Sequence, residues 1–164
     1  GSAAADLSGR YAIDVPRSDK IFAGTTIFGD ESDPSNPVIV EVDMTGQVVW
    51  FFDVPSEFGN GRGMDVEWVP ARNTILFTRE SGVYEVDRRT KKIVWSHKAP
   101  SSHDADRLPN GNTLIAFGMV KGRNGSSGPT EAFEVTPAGA IAWHMVVDGV
   151  MTLFRVEPIT SFEP

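Results

Sequence analysis

The chain has 164 residues, enough for one domain with its own core, and 40% hydrophobic with 23% charged residues is the balance of a soluble globular protein. A net charge of −7 argues against a nucleic-acid partner, because phosphate binding needs a concentrated basic surface, and the one basic run, "DRRTKK" at 87–92, reads as a hairpin turn. The absence of cysteine excludes disulfides, thiolate catalysis and cysteine metal sites, and no apolar run approaches the roughly 18 residues that would cross a bilayer.

In chain order, residues 1–9 read as a tag or flexible tail: "GS" looks like an expression scar and "AAADLSG" like a trimmed leader junction. "YAIDV", "KIFAGTTIFG" and "VIVEVD" are strand-like, with the polar loop "GDESDPSNP" (29–37) between the last two. That loop is oxygen-rich but lacks the fixed spacing of a calcium loop, so it reads as solvated and no metal site is expected. "VIVEVDMTGQVVWFFDV" (38–54) then recurs as "GVYEVDRRTKKIVWSHKA" (82–99) and as "EAFEVTPAGAIAWHMV" (131–146). Each copy is an alternating run, a polar turn and a second run with Trp at the same place, so Trp50, Trp95 and Trp143 stand 45 and 48 residues apart. A second match lies between these copies. "MDVEWVPARNTILF" (64–77) aligns with "HDADRLPNGNTLIAF" (103–117) with one residue inserted, which sets Asp65 beside Asp104, Pro70 beside Pro109 and the two "NT" pairs together. Asn110-Gly111 is a strong hairpin signal, since both residues tolerate positive φ.

One unit is therefore four antiparallel strands in about 40–50 residues, the signature of a β-propeller blade. Three units are expected, at 10–54, 63–99 and 103–147, within a single all-β domain over 10–159. A further strand at 150–159 begins a new copy, with Pro158 in the proline place. The Gly/Ser-rich insert "KGRNGSSG" (121–128) reads as a flexible loop, and "GRNGSSG" lacks the Lys and helix of a phosphate loop. No helix of more than two turns is expected. The repeated tryptophans read as packing between blades, each burying on the order of 200 Å². Trp68 is set apart, because it lies on a first strand where the next unit has Arg107.

The segment "HDADRLPNGNTL", with "GTTIFGD", "VIVEVDMTGQVVWFF" and "AFEVTPAGAIAWHM" around it, resembles the arylsulfotransferase-type propellers over most of residues 24–159. The resemblance implies six blades, a periplasmic or extracellular location, no cofactor, and a histidine near the channel that carries a sulfuryl group between phenols. The motif puts that role on His103, with Arg107 to offset the charge of a sulfate and Asp104 to orient the ring. The residues themselves offer a plainer alternative. Asp65 and Asp104 recur from blade to blade, as residues that accept hydrogen bonds from turn N–H groups would. Met64 stands at the His103 place in the preceding unit, and His97 and His144 follow the repeated Trp on outer strands, near the rim. A non-catalytic propeller that binds a small phenolic or anionic ligand or a protein, or a self-assembling structural half-propeller, stays open beside the transferase. Three blades cannot close a ring, since closed propellers have about four to eight. A homodimer of six blades is expected, with a missing partner half as the alternative. In it "TLFRVEP" crosses over to the other chain, and His103 lies partly exposed at the channel mouth.

Overall fold

A computed structural model describes residues 7, 9–12, 24–59, 63–117 and 130–147. The expected strand at 150–159, the insert at 121–128 and most of "YAIDV" lie outside the described residues. The chain gathers into two compact units, 1–57 and 58–164, divided at the boundary between the first and second predicted blades.

The first unit holds a three-stranded antiparallel sheet in the order β1 (Thr26–Asp30), β2 (Val38–Val42), β3 (Val48–Asp53). Val38, Val40 and Val42 form its core with Leu7, and Tyr11, Phe28, Val48 and Phe51 pack against them. Leu7 lies within the stretch read as a tail, yet it is buried here. Tyr11 explains why the segment is held. Its ring meets Phe28 edge-on at 5.3 Å and its hydroxyl donates to Asp30 at 2.6 Å, so burial and the carboxylate together push the phenol up to about 12. The 29–37 loop is organised by short polar turns, in which Asp33 accepts from Ser35 N–H and from Asn36 Nδ2.

The second unit holds two four-stranded antiparallel sheets, each a simple meander. One runs β4 (Val66–Val69), β5 (Thr74–Arg79), β6 (Gly82–Asp87), β7 (Ile93–His97); the other runs β8 (Ser102–Arg107), β9 (Thr113–Phe117), β10 (Thr130–Val135), β11 (Ile141–Val147). These are β-propeller blades, with the Trp on the last strand of each sheet and "DVEW" and "DADR" on the first. Among the described residues the only helical turns are two of 3-10 type, at Ser56–Phe58 and Pro70–Arg72.

The repeat extends into the ladder. In all three sheets the last strand carries a bulge one residue before the Trp: Val49, Val94 and Ala142 are passed over by the pairing. The bulge sets the Trp directly opposite a glutamate, as Glu41–Trp50, Glu85–Trp95 and Glu134–Trp143, so that each pair shares one face of its sheet. The preceding turn needs a left-handed residue, supplied by Gly46 (φ 83°), Lys91 (φ 55°) and Gly139 (φ 86°).

Two turn expectations change in the structure. At "PNGN" only Gly111 takes positive φ, at 87°; Asn110 does not, because Pro109 opens a three-residue loop closed by Leu108 N–H to Asn112 O, in place of a two-residue turn. The equivalent loop after Val69 is one residue longer and ends with Asn73 at φ 53°. The two "NT" pairs are consequently out of step in space. Trp68 pairs with Ile75 whereas Arg107 pairs with Thr113, so Asn112 occupies the place of Thr74.

The two blades of this unit pack face to face. Blade two supplies Val69, Leu76, Val83, Ala99 and Trp95; blade three supplies Ala105, Ile115, Phe133 and Val135. The Trp expectation is met in part. Trp50 and Trp95 are half-buried, but Trp143 is 45% exposed, a correction to the buried position expected for it. The reason is positional: Trp95 packs against the core shared by blades two and three and donates to Pro137 O, whereas Trp143 pairs with Glu134 on the face of blade three turned away from blade two.

Candidate functional site

The first strands β4 and β8 carry the residues that looked most reactive. Asp65, just before β4, and Glu67 on it both reach the backbone of β8 in blade three. Glu67 Oε2 accepts Arg107 N–H at 2.8 Å and Asp65 Oδ2 accepts Ala105 N–H at 3.4 Å. Asp65 thus accepts a strand N–H of the neighbouring blade. Burial pushes the Glu67 carboxyl up, against the opposing pull of the Arg107 N–H.

Arg107 continues the same contact through its side chain. Its guanidinium donates to Glu85 Oε2 at 2.6 Å and to Gly111 O at 3.1 Å, and its carbon lies 4.7 Å from the centre of the Trp95 ring. The side chain is 4% exposed and that of Glu85 is 0% exposed. Glu85 also accepts from the Thr74 hydroxyl at 2.5 Å and faces Arg72 Nε at 3.3 Å. Burial lowers the pKa of Arg107 and the Glu85 charge opposes that shift. Trp95 closes the contact by donating Nε1–H to Pro137 O at 3.1 Å. The cation that the family resemblance turns toward a sulfate is here enclosed between two blades with a carboxylate of its own. Glu67, Glu85 and Trp95 were not singled out by sequence as its partners. The available signal was the Glu present in every copy of the repeat, ten or nine residues before the Trp.

His103 is placed differently. It is the extra residue of a bulge in β8, where the ladder passes from Ser102–Phe117 to Asp104–Ala116. Bulges re-aim a side chain and recur beside active sites. His103 is half-buried, and Gly63 lies beside it: a Cβ built there would come 3.8 Å from His103 Nδ1. Asp104 is buried, on the opposite side of blade three from Arg107. Sequence neighbours 103, 104 and 107 are therefore not gathered into one pocket by the strand.

His97 stacks on Trp95 at 6.2 Å and lies 6.0 Å from Phe133; burial depresses its pKa. His144 is exposed and pairs with Glu131 at 3.1 Å. Among the described residues no group of three or more His, Asp or Glu converges as metal ligands would. A groove of about 580 Å³ lies in the first unit and not at His103; its lining includes Arg10, Asp33, Asp53 and Glu57, an acidic balance that suits no anion.

The fold and these contacts define a propeller-blade protein. No family model matches the chain, and no curated protein matches it. Solved structures do. A protein of unknown function from Bacteroides caccae is similar over 74% of this chain and 40% of its own, at 21% identity and a TM-score of 0.50. BamB from Moraxella catarrhalis matches 87% of this chain and 55% of its own, at 15% identity and a TM-score of 0.40. The chain therefore spans about half or less of the length of these relatives, and the likeness extends to the fold alone. Among the described residues no helix is long and apolar enough to cross a membrane.

Proposed function

We propose that the chain is a propeller module that works by stacking blade on blade and by binding, with the His103 bulge of β8 as the place where a small phenolic or anionic ligand is met. One observation carries this reading: Arg107, the best candidate for holding a transferring sulfuryl group, is buried against Glu85 and Trp95. A guanidinium so held is already neutralised and dehydrated, and leaving Glu85 for a ligand would strand a buried carboxylate. His103 is then a half-buried polar group at the bulge of β8. The ring closes with further blades, from a second copy to make six or from a missing partner half.

The transferase reading keeps one observation in its favour, the half-buried His103 aimed by the bulge. In that chemistry an imidazole nitrogen attacks the sulfur of an aryl sulfate, the aryl S–O bond breaks, and the phenolate leaves. An acceptor phenol then takes the sulfuryl group and gives up its proton. Incubation with an aryl sulfate and a second phenol separates the two readings. The binding module raises its melting temperature with the phenol and shows no turnover. Turnover that disappears in His103→Ala establishes the transferase, and a phenol and aryl sulfate screen that never shifts melting removes the ligand from the binding reading.

A further inference from the structure

The loop that joins β8 to β9 carries the Asn110-Gly111 pair, but only the glycine takes positive φ there. Asn110 works through its side chain. Its Nδ2 donates to Glu134 Oε1 at 3.0 Å and its Oδ1 accepts Asn112 N–H at 3.0 Å, so it ties the loop to β10 while staying exposed. Asn112 donates to the same Glu134 oxygen, and Asn112 and Asn110 together hold the Glu134 carboxyl below the usual carboxylate range. Beside them Gly111 O accepts from Arg107, the cation enclosed between the two blades.

An exposed asparagine followed by glycine has a chemistry of its own, because the glycine nitrogen has no Cβ beside it to keep it from the carboxamide. The bond from Asn112 N–H polarises the same Asn110 carbonyl. The other asparagines among the described residues lack this neighbour. Asn36 precedes Pro37, which has no N–H, and Asn73 and Asn112 precede Thr74 and Thr113, whose branched, buried side chains screen their nitrogens.

We propose that Asn110 is a site of spontaneous deamidation, and that its conversion releases the loop from Glu134 and loosens the packing of blade three on blade two. The Gly111 nitrogen loses its proton to solvent and bonds to Asn110 Cγ; the Cγ–Nδ2 bond breaks and ammonia leaves. Water then opens the five-membered imide at either carbonyl, giving aspartate or isoaspartate with no change of oxidation state. Either product replaces the Nδ2–H donor with a carboxylate facing Glu134, a like-charge contact. The isoaspartyl product also lengthens the backbone by one methylene next to the carbonyl that Arg107 uses. Two contacts restrain the reaction: Glu134 on the amide, and Leu108 O on the Gly111 N–H at 2.9 Å. None of this depends on His103 or on how the ring closes.

The test holds the full chain folded in mildly alkaline buffer and follows each asparagine by peptide mapping, with isoaspartyl methylation to separate the two products. Asn110 should convert while Asn112 keeps its amide, and urea below the unfolding transition should leave the rate unchanged. Glu134→Ala, at a half-exposed position, should speed the conversion of Asn110 about fivefold, as expected for freeing one hydrogen bond. Asn110→Asp should lower the urea midpoint, and the purified isoaspartyl chain should lower it further. The proposal is overturned by no detectable conversion at Asn110 when the unfolded peptide 106–116 has converted completely, or by equal conversion at Asn112. It is equally overturned by a rate that follows the unfolded fraction, an unchanged rate in Glu134→Ala, or an unchanged midpoint in Asn110→Asp.

Discussion

Arg107→Met isolates the contact on which the second unit turns. The substitution keeps an apolar stem near Trp95 but removes the 2.6 Å ion pair, the hydrogen bond to Gly111 and the cation over the ring. Glu85, fully buried, is left with the Thr74 hydroxyl and with Arg72, whose side chain is 44% exposed. Breaking a buried pair from one side costs about 3–5 kcal/mol, because the remaining charge has been taken from water without full compensation. The residual Arg72 contact places this case at the lower end, about 3 kcal/mol. That is a large part of the roughly 5–15 kcal/mol that stabilises a domain, and lowers the melting temperature by about 6–12 °C for a chain of this size. Glu85→Leu combined with Arg107→Met should recover most of the loss, since an apolar pair leaves no buried charge. Urea titration of the wild type, both single variants and the double variant measures the coupling. A loss below about 1 kcal/mol in Arg107→Met, or a double variant as unstable as the sum of the singles, would show that the guanidinium is not engaged with Glu85 and would return Arg107 to the pool of ligand-binding groups.

Trp95→Ala should cost about 3 kcal/mol or more, through lost packing on the inter-blade core, whereas Trp143→Ala should cost about 1 kcal/mol or less in a chain without a docked partner; equal losses in urea melts would mean that the two faces are equally covered. Glu67→Ala should destabilise by about 1.5–3 kcal/mol and Asp65→Ala by less, following their 2.8 and 3.4 Å bonds to β8; the reverse order in denaturation would refute the assignment. Lys91→Gly should stabilise by about 0.5–1 kcal/mol by relieving a left-handed residue at φ 55°, an effect read as a higher urea midpoint with unchanged slope. His97 has a depressed folded pKa, so its contribution is complete above the ordinary value of 6.5 and is lost as pH falls through the folded value. His97→Phe should flatten that part of the stability profile, and an unchanged profile would show that the ring is hydrated.

The blade itself was legible in the chain because its causes are local. Alternation of apolar and polar residues, left-handed turn residues and the Trp at a fixed place after each turn are set within about fifteen neighbouring residues. The strand order and the three Glu–Trp pairs follow from them once the turns are counted. What local signals could not supply is which residues meet across blades. "NT" matched "NT" in sequence, yet a loop shorter by one residue moved Asn112 into the Thr74 place, and Asn112 now holds Glu134 as Thr74 holds Glu85. "HDADR" read as one reactive cluster, but strand alternation and a bulge send Arg107 to one face, Asp104 to the other, and His103 out of the ladder. Whether an arginine is a ligand-binding group or a buried tie depends on what stands opposite it. Glu85 lies 22 residues away in sequence and 2.6 Å away in space, a proximity that only the packing of one blade on the next decides.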